Sequence, residues 1–121
     1  MAQFVTDAGL LRTLDMLRAD WTHIGLQSGA APSTQSVLLD DEFARKEIVD
    51  PLTDGYTLVV DAFYDETEAN GSITGYGVFG DGATDSLNTG TLMAATSANM
   101  VKTNADSLTV SAEITVRRVV T

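Results

Sequence analysis

Three closely spaced glycines form the most recognisable chemical motif of this sequence. Gly75, Gly77 and Gly80 match the pattern G-x-G-x-x-G, which binds a dinucleotide when it lies between a strand and a helix. Here aromatic and β-branched residues separate the glycines, and a loop rich in Gly and Asp follows them. This context is typical of a strand in which glycines permit sharp twist or close strand approach. We therefore expect a structural role for the three glycines and no cofactor.

The loop that follows the glycines contains two carboxylates that could bind a cation. Asp81 and Asp85 occupy the first and fifth positions of an acidic segment. An EF-hand loop needs oxygen ligands at alternate positions, a distant Glu and flanking helices, and only these two positions qualify. Asp81 and Asp85 are therefore weak candidates for a metal site, and the simpler prediction is a solvated acidic loop.

Catalytic and zinc chemistry would have to use a single imidazole. The sequence has one histidine, His23, and no cysteine, so the usual zinc ligand sets cannot be assembled. A Ser-His-Asp triad would need His23, and no serine lies in a G-x-S-x-G elbow. We expect His23 to be packed and hydrogen-bonded, and we expect the protein not to be an enzyme.

The charge balance limits the partners that the protein can have. Seventeen acidic and seven basic residues give a formal net charge of −10, which repels nucleic-acid phosphates and anionic membranes. No apolar run approaches the ~18 residues of a membrane span, and no export signal follows Met1. We expect a protein made in a cytoplasm that binds neither nucleic acid nor membrane. Residues 49–101 contain no Lys or Arg, so their surface should repel other copies unless a cation or basic partner neutralises it.

The hydrophobic pattern predicts one helix followed by strands. Apolar residues at Leu10, Leu14, Leu17 and Trp21 follow one helical face, which predicts an amphipathic helix at about residues 6–19. The pattern then changes to alternation, which predicts strands between about residues 22 and 120. The predicted strands cover residues 23–27, 44–49, 56–64, 72–79, 91–95 and 108–120, with a turn at 51–55 and a hairpin turn at Asn70-Gly71.

These elements predict a single domain over residues 1–121 that is mainly β. We expect an antiparallel β-sandwich or a barrel-like sheet of about six strands, covered on one face by the N-terminal helix.

The order of several short motifs resembles one family along most of the chain. Phage tail-collar and tail-fibre N-terminal modules, and related short proteins of tailed-virus particles, open with a T-x-A-G-L helix, similar to residues 6–10 here. Further similar segments follow in the same order at residues 21–29, 39–46, 68–79 and 102–116. The chain departs from the family pattern at two points. Gly75 stands where the family usually has Glu, and residues 26–29 are Leu-Gln-Ser-Gly where the family has Leu-Gly-Thr-Gly.

This resemblance implies a structural protein of the virion that works by protein–protein assembly in the tail, the baseplate or the fibre attachment. A capsid decoration or vertex protein is the alternative, and a carbohydrate-binding module is a third hypothesis. The expected partners are other virion structural proteins and other copies of the chain, in a trimer or a higher ring. The predicted assembly contacts are Arg117, Arg118, Val119 and Val120, with the two arginines facing acidic loops of a neighbouring copy.

Overall fold

The computed structural model describes residues 3–118, and its first element is helix α1, Asp7–Asp20. Thr6 is the N-cap, because its hydroxyl accepts a hydrogen bond of 3.0 Å from the Gly9 amide. Leu10 and Leu14 form the buried side of the helix. The helix predicted at residues 6–19 is thus confirmed within one residue. In the part of the chain described, no helix combines the length and apolarity of a membrane span.

Within the described residues, seven strands follow the helix and form two antiparallel sheets. They are β1 (His23–Gln27), β2 (Glu42–Glu47), β3 (Leu52–Asp54), β4 (Thr57–Tyr64), β5 (Gly71–Gly80), β6 (Thr91–Lys102) and β7 (Leu108–Thr115). One sheet has four strands in the order β2-β1-β5-β6, and the other has three in the order β3-β4-β7. The prediction of a mainly β fold with one N-terminal helix is confirmed, and the two sheets do not close into a barrel.

The core lies between the two sheets, and β4 contributes alternate residues to it. On β4, Leu58, Val60, Ala62 and Tyr64 are buried, whereas the residues between them are more exposed. The Tyr64 hydroxyl donates a hydrogen bond of 2.8 Å to the carbonyl oxygen of Ile24, and this bond joins the two sheets directly. The same cluster contains residues of α1, β1, β5 and β7, namely Leu14, Leu26, Ile73, Val78 and Val110.

The prediction of about six strands missed β3. The segment assigned to a turn forms a short strand instead, because the turn needs only Gly55 and Tyr56 between the paired residues Asp54 and Thr57. Gly55 has φ +60°, a left-handed conformation that glycine adopts at no steric cost.

The predicted hairpin turn at Asn70-Gly71 is wrong. Strands β4 and β5 belong to different sheets and do not pair with each other. The connection between them crosses from one sheet to the other, and Ala69 (φ 57°) and Gly71 (φ 134°) supply the positive φ angles. Asn70 lies outside the left-handed region, and its side-chain amide donates to the Glu66 carbonyl oxygen at 3.0 Å.

Three other strand boundaries differ from the prediction. Strand β6 runs over twelve residues, far beyond the predicted segment 91–95. Strand β2 begins and ends two residues earlier than the predicted segment 44–49. Strand β7 ends at Thr115 instead of continuing to residue 120, because β4, its partner, begins at Thr57, opposite Thr115.

Candidate functional site

In the part of the chain that the structure describes, strand β6 has one long side without a strand neighbour. It pairs with β5 from Gly71↔Lys102 to Gly80↔Thr91 and forms the edge of the four-stranded sheet. Among residues 3–118, one backbone hydrogen bond reaches β6 from outside this pairing, from the Leu92 amide to the Val37 carbonyl oxygen at 2.9 Å. Such an edge presents backbone donors and acceptors to any extended segment that approaches it.

The exposed side of β6 is uncharged and partly apolar. No Asp, Glu, Lys or Arg occurs from residue 86 to residue 101. Met93, Met100 and Val101 are 41%, 42% and 68% exposed. Natural proteins usually blunt a long edge strand with charges, proline or a cover, and β6 has no charge or proline before Lys102.

The other edges of the two sheets are less suited to pairing. Strand β2 carries four charged residues among its six, and β3 is only three residues long. Strand β7 carries Glu113 in the middle of its exposed face. The β6 edge is therefore the longest of the four edges and carries no charge before Lys102, although its pairing with β5 shifts register between Ile73 and Gly75 and between Val78 and Phe79.

Two grooves lie along β6, one on each face. The outer groove has a volume of about 480 Å³ and lies between the loop at residues 32–36 and residues 92–97. The inner groove, about 270 Å³, lies between β6 and β7 at the open side of the sandwich. Small side chains such as Ala94 and Ala112 line the inner groove, with Ile114 beside them. The core is thus incompletely covered where the two edge strands lie side by side.

The predicted cationic assembly contacts lie near the start of the helix. One Nη atom of Arg118 lies 2.7 Å from an Asp7 carboxylate oxygen and donates to the Val5 carbonyl oxygen at 2.9 Å. Arg117 is exposed. The Arg118–Asp7 pair is itself solvent-exposed, so its contribution to stability is small. Val119 and Val120 lie outside the described residues, and the role of all four residues in assembly stays a prediction.

The two aspartates predicted as weak metal ligands have different partners. An Asp81 carboxylate oxygen accepts a hydrogen bond of 2.9 Å from the Thr91 hydroxyl, whereas Asp85 lies 2.9 Å from Nε2 of His23. Within residues 3–118, no group of three or more His, Asp or Glu side chains is arranged to bind a metal ion.

His23 is packed and hydrogen-bonded, as predicted. It is 5% exposed, and its Nδ1 lies 2.7 Å from the Thr22 hydroxyl while Nε2 contacts Asp85. A carboxylate can only accept, so Nε2 donates to Asp85. Groups of the same chain occupy both ring nitrogens, and the imidazole therefore fixes the loop that contains Asp85.

A buried ion pair that the sequence analysis missed holds the same loop. Glu42 and Arg45 have fully buried side chains and form a two-pronged pair, with N–O distances of 2.8 and 2.9 Å. The remaining donors of Arg45 reach the carbonyl oxygens of Thr84 and Thr89, at 3.0 and 2.9 Å. The guanidinium also stacks 4.0 Å above the centre of the Phe79 ring. The only sequence signal was the E-x-x-R spacing, which is common on protein surfaces.

Tyr64, a neighbour of this pair, has a shifted pKa because it is itself buried and because Glu42 is negatively charged. Burial, followed by the negative charges of Glu42 and Glu68, raises the pKa of the Tyr64 hydroxyl above its ordinary value. The hydroxyl therefore stays protonated, as its donation to Ile24 requires.

The glycines of the G-x-G-x-x-G motif have the expected structural role. They lie within β5, and a loop and β6 follow them where the dinucleotide motif requires a helix. A methyl group on Gly75 would contact Pro32 at 3.0 Å, and one on Gly77 would overlap the side chain of Leu92. The glycines thus let the loop at residues 28–40 and the start of β6 lie close to the sheet.

The single tryptophan is not placed to bind a sugar. Trp21 is 6% exposed and belongs to the core cluster, so its ring face is unavailable for stacking on a ligand. Tyr64 is likewise buried, at 1% exposure.

The geometry identifies the β6 edge as the candidate functional site. The sequence analysis predicted only a short strand there, and the signal that could have found the edge was the uncharged run from residue 86 to residue 101. Neither the known protein families nor the curated proteins give a significant match to this sequence.

Proposed function

We propose that this protein is a structural component of a tailed virus particle, in the tail, the baseplate or the fibre attachment. It acts by assembling with other protein surfaces, including other copies of itself, and it catalyses no reaction. The ordered resemblance of five segments to tail-collar and tail-fibre modules supports the location on a virus particle. The open edge of the four-stranded sheet supports the assembly role.

One observation carries the assembly role, namely the unpaired edge of β6. The twelve residues of β6 form one edge of a sheet, and among the described residues Leu92 makes the one backbone-to-backbone hydrogen bond that β6 has outside its pairing with β5. Adding a strand to such an edge gains backbone hydrogen bonds along its length and covers the neighbouring apolar side chains. A chain with this edge is suited to a permanent neighbour.

Localisation on purified particles tests the proposal. Tailed particles would be purified from the host that carries the coding sequence, analysed by mass spectrometry and labelled with an antibody against this chain. Detection in the particles with label on the tail supports the proposal. Label confined to the head would replace it with the capsid decoration alternative, and absence of the chain from intact particles would refute both.

A matched pair of variants tests whether the β6 edge carries the assembly. Ser97→Glu adds a charge to the edge of β6, and Thr109→Glu adds the same charge to an exposed position of β7. We expect the first variant to be depleted from the particles and the second to be incorporated normally. Equal incorporation of the two variants would contradict a role for β6 in assembly.

A further inference from the structure

We propose that the neighbour at the β6 edge is a second copy of this chain, whose own β6 pairs antiparallel with the first. This inference rests on the assembly role proposed above, and it adds the identity of the partner and the geometry of the contact. Two sheets of four strands would join into one sheet of eight, with β6 and β6 of the second copy at its centre.

Charge is the first reason to choose a second copy. Two copies with a net charge of −10 repel each other over most of their surfaces. The β6 edge is the long edge at which they can meet without bringing carboxylates together, because residues 86–101 are uncharged. The one charged residue of β6, Lys102, is 3% exposed. Its ammonium group donates within the chain, to the carbonyl oxygen of Asp65 at 2.7 Å and the side chain of Asn70 at 2.9 Å.

The arrangement of exposed apolar residues on β6 is the second reason. Antiparallel pairing around a two-fold axis requires a surface that is complementary to itself. A register centred on Ser97 meets this requirement, because it places Ser97 opposite Ser97 and Thr96 opposite Ala98, so that opposite side chains lie on the same face of the sheet. Met93 of each copy then lies near Val101 of the other. Because Met93, Met100 and Val101 are 41%, 42% and 68% exposed in the single chain, this pairing covers apolar residues of the edge in both copies.

The geometry of the pairing also distinguishes it from the ring predicted from the sequence. A strand that pairs with itself around a two-fold axis uses the same patch on both copies, and the contact closes after two copies. A trimer or a larger ring needs two different patches. The contact at β6 therefore predicts a dimer as the basic unit, from which larger rings would form only through other surfaces.

Cysteine cross-linking tests the pairing directly, because the chain has no cysteine of its own. In the single variant Ser97→Cys, the thiols of the two copies lie opposite each other at the two-fold axis, within disulfide range. In Ala95→Cys, two residues from the axis, the two thiols are about 13 Å apart along the strands, at about 3.3 Å per residue, and cannot react with each other. We expect mild oxidation of Ser97→Cys to give covalent dimers, and we expect Ala95→Cys to stay largely monomeric on denaturing gels.

Two results would overturn the pairing. The first is a Ser97→Cys variant that gives no covalent dimer, and the second is an Ala95→Cys variant that cross-links as efficiently as Ser97→Cys. Thr109→Cys, at an exposed position of the other edge strand, measures the background of random collisions.

Sedimentation of the glutamate variants gives an independent measurement. Ser97→Glu places two carboxylates close to the two-fold axis and should weaken dimerisation roughly tenfold at low salt. Thr109→Glu, with the same net charge, should leave the dimer unchanged. Equal dimerisation of the two variants would refute pairing at β6. Because these measurements use the isolated protein, they can fail while the particle experiment succeeds, so the partner and the proposed function are refuted by different results.

Discussion

The Glu42–Arg45 pair allows a quantitative prediction, because both side chains are fully buried. Replacing Arg45 with Met removes the cation and leaves the Glu42 carboxylate in the protein interior. The only other hydrogen bond described for that carboxylate is a donation from the Asn88 amide at 2.8 Å. The variant therefore contains a buried charge without its counter-charge.

The expected cost follows from the burial of both partners. Breaking a buried pair by removing one partner costs about 3–5 kcal/mol, and a natural domain has roughly 5–15 kcal/mol of unfolding free energy in total. For a domain of this size, such a loss lowers the melting temperature by roughly 10–20 °C. The loop at residues 81–90 should loosen as well, because Arg45 bonds the carbonyl oxygens of Thr84 and Thr89.

Urea denaturation and thermal melting followed by circular dichroism measure this loss. Lys46→Met is the matched control, because Lys46 lies on the same strand and pairs with Glu68 at 2.6 Å, in a contact that solvent reaches. We expect a far smaller loss for the control. The double variant Glu42→Leu/Arg45→Met should recover much of the stability, because it leaves no unpaired charge in the interior. An unfolding free energy for Arg45→Met within about 1 kcal/mol of the wild-type value would refute the account.

Three further predictions concern single side chains. Tyr64→Phe should destabilise the fold by about 1–2 kcal/mol in urea titrations at pH 7, since it leaves the Ile24 carbonyl oxygen without its buried donor. Because the pKa of Tyr64 is raised in the folded protein, its contribution to the free energy of unfolding is full below pH ~10, where the unfolded tyrosine begins to ionise, and is lost at higher pH. The Phe variant should lack this part of the alkaline dependence in melts from pH 9 to 12. Thr67→Val should raise the pKa of Asp65, which hydrogen bonds from the Thr67 side chain and amide hold below its ordinary value; carboxyl NMR titration would show no change if those bonds are absent in solution. Gly77→Ala should lower the melting temperature, because the added methyl group overlaps Leu92 and lies 2.9 Å from the Ala94 carbonyl oxygen; an unchanged melting temperature would show that β6 can move away from β5.

Local pattern was sufficient to predict the elements whose two faces differ strongly. The alternation of β4 predicted its buried residues correctly, since Leu58, Val60, Ala62 and Tyr64 all lie in the core. The N-cap at Thr6 and the spacing of Leu10 and Leu14 predicted the helix within one residue. In both elements, residues that are close in the sequence determine which positions are buried, so no information about distant parts of the chain was needed.

Strand pairing could not be predicted in the same way. Asn70-Gly71 has the composition of a hairpin turn, yet β4 pairs with β7, about 50 residues away along the chain, from Thr57↔Thr115 to Tyr64↔Leu108. Which strands pair depends on how two sheets share one core, and a turn motif carries no information about that choice.

The buried ion pair and the contact between His23 and Asp85 could not be predicted from the sequence for a similar reason. Glu42 and Arg45 looked like surface charges, and the space that buries them comes in part from Gly25, where an added methyl group would overlap the Glu42 carboxylate. His23 and Asp85 meet across 62 positions of the chain. The uncharged run of β6 was visible in the sequence, but its meaning depended on finding β6 at an edge.

The crossing of the chain between sheets at residues 65–70 has a consequence for biosynthesis. Strand β4 is synthesised long before its main partner β7, so the three-stranded sheet cannot close until the ribosome has passed residue 115. At roughly 5–20 residues per second, β4 waits for several seconds with its apolar face uncovered. Such non-local pairing slows folding and prolongs exposure to aggregation. Chains released early would therefore be targets for chaperones or proteases, and only completed chains would reach an assembling structure.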